Sequence, residues 1–130
     1  MRYFSVAQAE ELIPELEKIF AAILEIRPKA EAKARLLQQL ENEGSDDTAR
    51  IALEKGQLDF LAGGINEWFQ KIMNLGAFPK GLDPALVDFP YRLGEKEVYL
   101  CWRLGEKKIT HYHGIEDGYS NRRRLPTRPS

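Results

Sequence analysis

One cysteine, two histidines, two tryptophans and a net charge of -1 leave this 130-residue chain few of the means that mark a protein's business from outside. The lone Cys101 excludes an intramolecular disulfide and any zinc site built on several cysteines, and it suits a reducing compartment. A charge this close to zero gives no global pull toward nucleic acid or membranes. No apolar run approaches the roughly 20 residues that span a bilayer, and the opening Met1-Arg2-Tyr3-Phe4-Ser5 lacks the apolar core of a signal peptide. A cytoplasmic location is the expectation. There is no phosphate-cradling glycine loop, no Gly-x-Ser-x-Gly elbow, no His-Glu-x-x-His and no dinucleotide fingerprint, so most large enzyme classes find no support. What is present is ordinary for a globular chain, 43% hydrophobic and 30% charged, and its length suits one domain over residues 1–125.

Ser5 with Gln8 three residues on is a capping-box signature, with Phe4 placed to staple onto Ala9, so a helix is expected from about Val6. Pro14 belongs in a first turn, which predicts a short helix to Leu12 or Ile13 and a re-start at Pro14. Leu16, Ile19, Phe20, Ile23 and Leu24 form an apolar face that continues through Ala30, Ala34, Leu37 and Leu40, with a kink or interruption expected at Pro28. Residues 42–47 are polar and contain Gly44, a turn into a second helix over about 48–75 that Gly76 stops. Gly63 and Gly64 weaken that helix by about 1 kcal/mol each and suggest close approach of another backbone or a kink. Phe60 and Trp68 widen its apolar face beyond what one partner helix covers, which points to self-association. The helical hairpin thus occupies about 6–75. Residues 77–84 read as a connector with a short strand possible around Phe78, and residues 126–130 as a disordered tail.

The peptide Arg-Leu-Gly-Glu-Lys occurs at 92–96 and again at 103–107. Glycine at the first central position of a two-residue loop suits a tight hairpin, so both copies predict reversals within a β-meander over about 86–113, followed by a turn segment at 114–125. The implied register sets Leu93 against Lys96, Tyr91 against Val98, Phe89 against Leu100, Trp102 against Ile109 and Leu100 against His111. Val87, Phe89, Tyr91, Val98, Leu100, Trp102, Ile109, His111 and His113 then share the apolar face. Asp88, Arg92, Glu97, Tyr99, Cys101, Arg103, Lys108, Thr110 and Tyr112 share the other. Pro90 cannot donate to a ladder, so its strand is expected to be an edge or to bulge there. In this register Cys101 points away from both histidines, which disfavours a histidine-activated thiol.

His111 and His113, two apart on a strand and about 6.5–7 Å apart along it, can converge on one metal, zinc or iron, with Glu116 or Asp117 as carboxylate ligand. The plainer reading makes His111 a semi-aromatic residue beside Phe89 and Leu100, and has His113 bonded to backbone or to a carboxylate. Arg122, Arg123 and Arg124 form the densest basic run, suited to a small anionic ligand, or else to a solvated segment. No stacking platform accompanies it, and nucleic-acid binding ranks last.

The stretches Arg2-Tyr3-Phe4-Ser5, Leu12-Ile13-Pro14-Glu15-Leu16, Leu86-Val87-Asp88-Phe89-Pro90 and Val98-Tyr99-Leu100-Cys101-Trp102-Arg103-Leu104-Gly105-Glu106 resemble an uncharacterised prokaryotic family, domain of unknown function 2203. The ending His113, Glu116, Gly118, Tyr119, Arg122 and Leu125 is similar to its closing pattern. The resemblance spans nearly the whole chain and implies a small bacterial or archaeal protein, but no reaction. Three positions depart from the family pattern: His111 stands where an aromatic is usual, and Asn121 and Arg124 replace the glycine before Arg122 and the proline two residues after it.

The expectation is an α+β protein, a long antiparallel helical hairpin packed on a three- to four-stranded antiparallel meander. Its leading function is non-catalytic binding as a homo-oligomer formed through helix surface, with Trp102, His113, Glu116, Asp117 and Arg122 around the polar pocket. The competing reading is a metal-dependent hydrolase or oxygenase using His111 and His113 with Glu116 or Asp117.

Overall fold

The computed structural model describes residues 2–126. Three helices, α1 (Val6–Glu11), α2 (Ile13–Asn42) and α3 (Thr48–Asn74), precede five strands, β1 (Phe78–Leu82), β2 (Ala85–Leu93), β3 (Lys96–Arg103), β4 (His111–Gly114) and β5 (Arg123–Arg124). The strands form one antiparallel sheet in sequence order, a meander with more strands than the three or four expected. The α+β class with a helical hairpin and a meander is the observed one. By density of contacts the chain divides into two compact units, one of residues up to Lys18 and from Lys71 onward, the other Ile19–Gln70. Of the expected tail at 126–130, residues 127–130 lie outside the described residues.

In the second unit α2 and α3 run antiparallel: Lys33 Nζ meets Glu54 Oε2 at 2.7 Å, and Gly64 lies against Ile26. Gly44, at φ 63°, ends α2, and the Asp47 carboxylate accepts the Arg50 N–H at 3.1 Å to cap α3, as the turn chemistry predicts. α2 passes through Pro28 without the interruption that was one of the two expected outcomes. Proline there removes a hydrogen bond to the carbonyl four residues back, and Pro28 and Leu24 both lie on the exposed side of the helix.

The other unit carries the sheet. Ser5 and Gln8 make the capping box of α1 as expected. Phe4 packs edge-on against Phe89, ring centroids 5.1 Å apart, and the Phe4 N–H donates to the Pro90 carbonyl at 2.8 Å. β1 pairs with β2 only as far as Asp88, and beyond it the buried Pro90 faces Phe4 rather than a strand, so its missing donor costs the ladder nothing. Val87, Phe89, Leu100, Trp102 and Ile109 are fully buried and form the apolar side of this unit.

The first Arg-Leu-Gly-Glu-Lys copy behaves as predicted. Gly94, at φ 64°, heads a two-residue loop, and β2 and β3 pair Leu93 with Lys96, Arg92 with Glu97, Tyr91 with Val98 and Phe89 with Leu100. The second copy does not. Glu106 N–H donates to the Arg103 carbonyl at 2.9 Å, which closes a four-residue turn with Gly105 (φ 105°) at its third position, and Leu104 N–H still reaches Ala85 on β2 at 3.0 Å. The chain then needs residues 107–110 before β4 begins. As a result Cys101 pairs with His111, Leu100 with Tyr112 and Tyr99 with His113, one residue away from the expected register. A slip of one exchanges the faces of a strand. His111 and His113 therefore leave the apolar side, and Tyr112 takes their place opposite Leu100.

Candidate functional site

The corrected register gathers the chemistry. Asp88 on β2 lies directly opposite Cys101 on β3, and β4 adds His113 on the same face; all three are buried, at 3%, 1% and 4% exposure. Among the described residues their ligand-capable atoms lie within 4.8 Å of one another. The separation of Cys101 from the histidines expected from a two-residue second loop is thus overturned.

His113 is held at both ring nitrogens. Nδ1 lies 2.8 Å from the Gly114 carbonyl, which can only accept, so that nitrogen carries a proton. Nε2 faces Asp88 Oδ1 at 3.0 Å. With Nδ1 protonated, Nε2 of a neutral ring is a bare lone pair, and it confronts a carboxylate oxygen that is also electron-rich. A cation has to lie between them, either a proton or a metal ion. Burial pushes the Asp88 carboxyl above the usual range, against the pull of His113 and of Lys80. Burial also pushes the Cys101 thiol up to about 11, reinforced by Asp88 and opposed by Arg122.

Arg122 closes the site from the C-terminal segment. Its guanidinium grips Glu106 with two hydrogen bonds, 3.1 and 2.8 Å, reaches the Cys101 sulfur, and lies 4.7 Å over the Tyr119 ring. Burial alone would raise Glu106, but the bonds from Arg122 and from the Arg103 N–H (2.8 Å) bring it below the ordinary carboxylate value. Arg103 also donates to the Tyr119 hydroxyl at 3.1 Å. Outside the cluster opens a cleft of about 330 Å³, lined by Asp88, Cys101 and His113 together with Lys80, Tyr99, Asp117 and Tyr119.

The sequence-predicted residues divide. His113, Asp117 and Arg122 belong to this neighbourhood, with Asp117 lining the cleft and accepting the Gly114 N–H at 3.2 Å. His111 faces Cys101 across the ladder, but its Nδ1 lies 2.8 Å from Thr110 Oγ1, and burial and Arg122 lower its pKa. Glu116 is exposed and lines no part of the cleft. Trp102 lies fully buried on the apolar side, where Nε1 donates to the Glu106 carbonyl at 2.9 Å, so it is not a pocket residue. The set His111, His113 and Glu116 or Asp117 is not the one whose atoms converge. Asp88 and Cys101 were the members of the cluster missed, although the first hairpin alone already set them opposite each other.

A model of the family described as Uncharacterized conserved protein (DUF2203) matches residues 2–125. The chain belongs to this family. The cluster and every strand of the sheet lie within the stretch that matches DUF2203. No curated protein and no solved structure matches the chain. Among the described residues, no helix is long and apolar enough to cross a membrane.

Proposed function

We propose that this DUF2203 protein binds one transition-metal ion, zinc by preference, through Asp88, Cys101 and His113, and uses it to bind and activate water against a small ligand in the cleft. The observation that carries the reading is a thiol, an imidazole and a carboxylate, all buried, with their ligand-capable atoms within 4.8 Å of one another. One nitrogen, one sulfur and one oxygen donor with a fourth position open are a donor set for catalytic zinc. The Gly114 carbonyl that fixes the His113 tautomer is the kind of outer partner metal-bound histidines keep. Charge supports it too: a dication with one carboxylate and one thiolate is neutral, beside a Glu106–Arg122 pair that is itself neutral.

The cleft side supplies the open position. An ion there would lower the pKa of a bound water to about 7 and so would supply hydroxide at neutral pH. Lys80, with Nζ 5.7 Å from the Tyr99 ring centroid, offers a positive charge for a small anionic ligand. A simple cysteine nucleophile is disfavoured on different grounds from those of the sequence: the thiol lies near the histidine, but a pKa of about 11 leaves it protonated. A buried reduced thiol as ligand suits a cytoplasmic setting.

Metal analysis of the purified chain tests the reading. One zinc or iron per chain, removed by chelator and lost in Cys101→Ser and in His113→Ala, is expected, while Glu116→Ala keeps full occupancy. Folded protein that takes up no metal at micromolar zinc sinks the proposal.

A further inference from the structure

Helix α3 is apolar on two opposite sides. Within the helical hairpin, Leu58, Leu61 and Ile65 are shielded and Glu54 is buried, which defines the inner side. On the far side Leu53 is 59% exposed and Phe60 82% exposed. Between and beyond them stand Gly56 and Gly63, each with open space where a Cβ would be. Positions 53, 56, 60 and 63 are spaced three, four and three, which is the seam of a helix that packs on another helix. A phenylalanine and a leucine standing in water on such a seam, each beside a glycine with open space above it, call for a covering surface.

We propose that the cover is a second copy of this chain, its α3 lying antiparallel to the first about a twofold axis at the level of Leu58. In sequence Leu58 is midway between Gly56 and Phe60 and also midway between Leu53 and Gly63. One axis therefore seats Phe60 of each copy in the gap at Gly56 of the other, and Leu53 of each at Gly63 of the other. An isologous pair demands this self-complementarity, with large residues meeting small ones in both directions. A parallel in-register pair sets Phe60 on Phe60 and Gly56 on Gly56, which crowds one level and leaves a void at the next. The same antiparallel axis brings exposed Arg50 of each copy to within one residue of the level of exposed Glu67 of the other, an attraction made twice. The two interior glycines, a cost to an isolated helix, let the backbones approach closely.

Sedimentation of the full chain at micromolar concentration, with helix content followed by circular dichroism, provides the test. The wild type is expected to be a dimer. Gly56→Phe and Phe60→Ala, both at exposed positions where the monomer fold has nothing to lose, are each expected to weaken dimerisation roughly 30-fold or more. The double variant Gly56→Phe with Phe60→Ala re-creates the large-to-small match from the other side and is expected to recover most of the loss. A monomeric wild type overturns the proposal. So does a dimer indifferent to both single changes, or a double variant no better than its parents.

Discussion

His113 Nε2 lies 3.0 Å from Asp88 Oδ1 while its Nδ1 is committed to the Gly114 carbonyl, so this buried pair has to hold a cation. In metal-free protein that cation is a proton. The Cys101 thiol holds a second one, with its pKa raised to about 11.

Zinc uptake near neutral pH should therefore expel protons, the thiol's among them, with affinity rising as pH rises. Titration calorimetry in buffers of different ionisation enthalpy counts them. Proton release close to zero would show that zinc binds elsewhere.

The thiol also predicts how stability depends on alkali. Folded Cys101 ionises near 11 against an ordinary 9.0, so between those values the unfolded chain has released a proton that the folded chain still holds. Metal-free protein should therefore lose stability as pH climbs from 9 to 11. Cys101→Ala removes this contribution, and urea unfolding across that range should show a flatter profile for the variant.

Arg122 acts on two neighbours in the same direction. It lowers the His111 pKa, after burial the largest influence on it, and it also lowers that of Cys101. Arg122→Gln should raise both titrations and free the Glu106 carboxylate. Imidazole signals followed by NMR against pH, with the rate of thiol alkylation against pH, give the two readings. A His111 titration that stays still or falls would contradict the geometry.

The two glycines of the repeated peptide have different duties. Gly94 at φ 64° lies in the left-handed well, where alanine costs about 1 to 2 kcal/mol. Gly105 at φ 105° lies beyond that well, and its turn also aims Glu106 at Arg122. Gly105→Ala should be the more destabilising in urea, and should also weaken metal binding, which Gly94→Ala leaves alone.

Much of this architecture was legible in the residues before any coordinates. The capping box at Ser5, the stop at Gly44, the aspartate cap of α3 and the first hairpin are local devices, each complete within a few residues, and local devices can be read one at a time. The site was legible only in part. Asp88 opposite Cys101 followed from the first hairpin, and His113 stood out as a residue apt for binding, but the two observations stayed on opposite faces of the expected sheet.

What separated them was a five-residue peptide that occurs twice and folds in two ways. Arg-Leu-Gly-Glu-Lys makes a two-residue reversal at 92–96, and at 103–107 it makes a turn followed by a longer path to β4. The second copy is held by partners far from it or outside it: Ala85 on Leu104, Arg122 on the Glu106 carboxylate, and Glu10 Oε2 on the Ile109 N–H at 2.8 Å. The amino-acid sequence by itself determined the helices, the caps, the first hairpin and the pairing of Asp88 with Cys101. Tertiary structure alone decided the second register, and with it the meeting of His113 with that pair. The physical reason is that strand side chains alternate with period two, so one residue of slack taken up by distant hydrogen bonds carries an imidazole from one side of the sheet to the other.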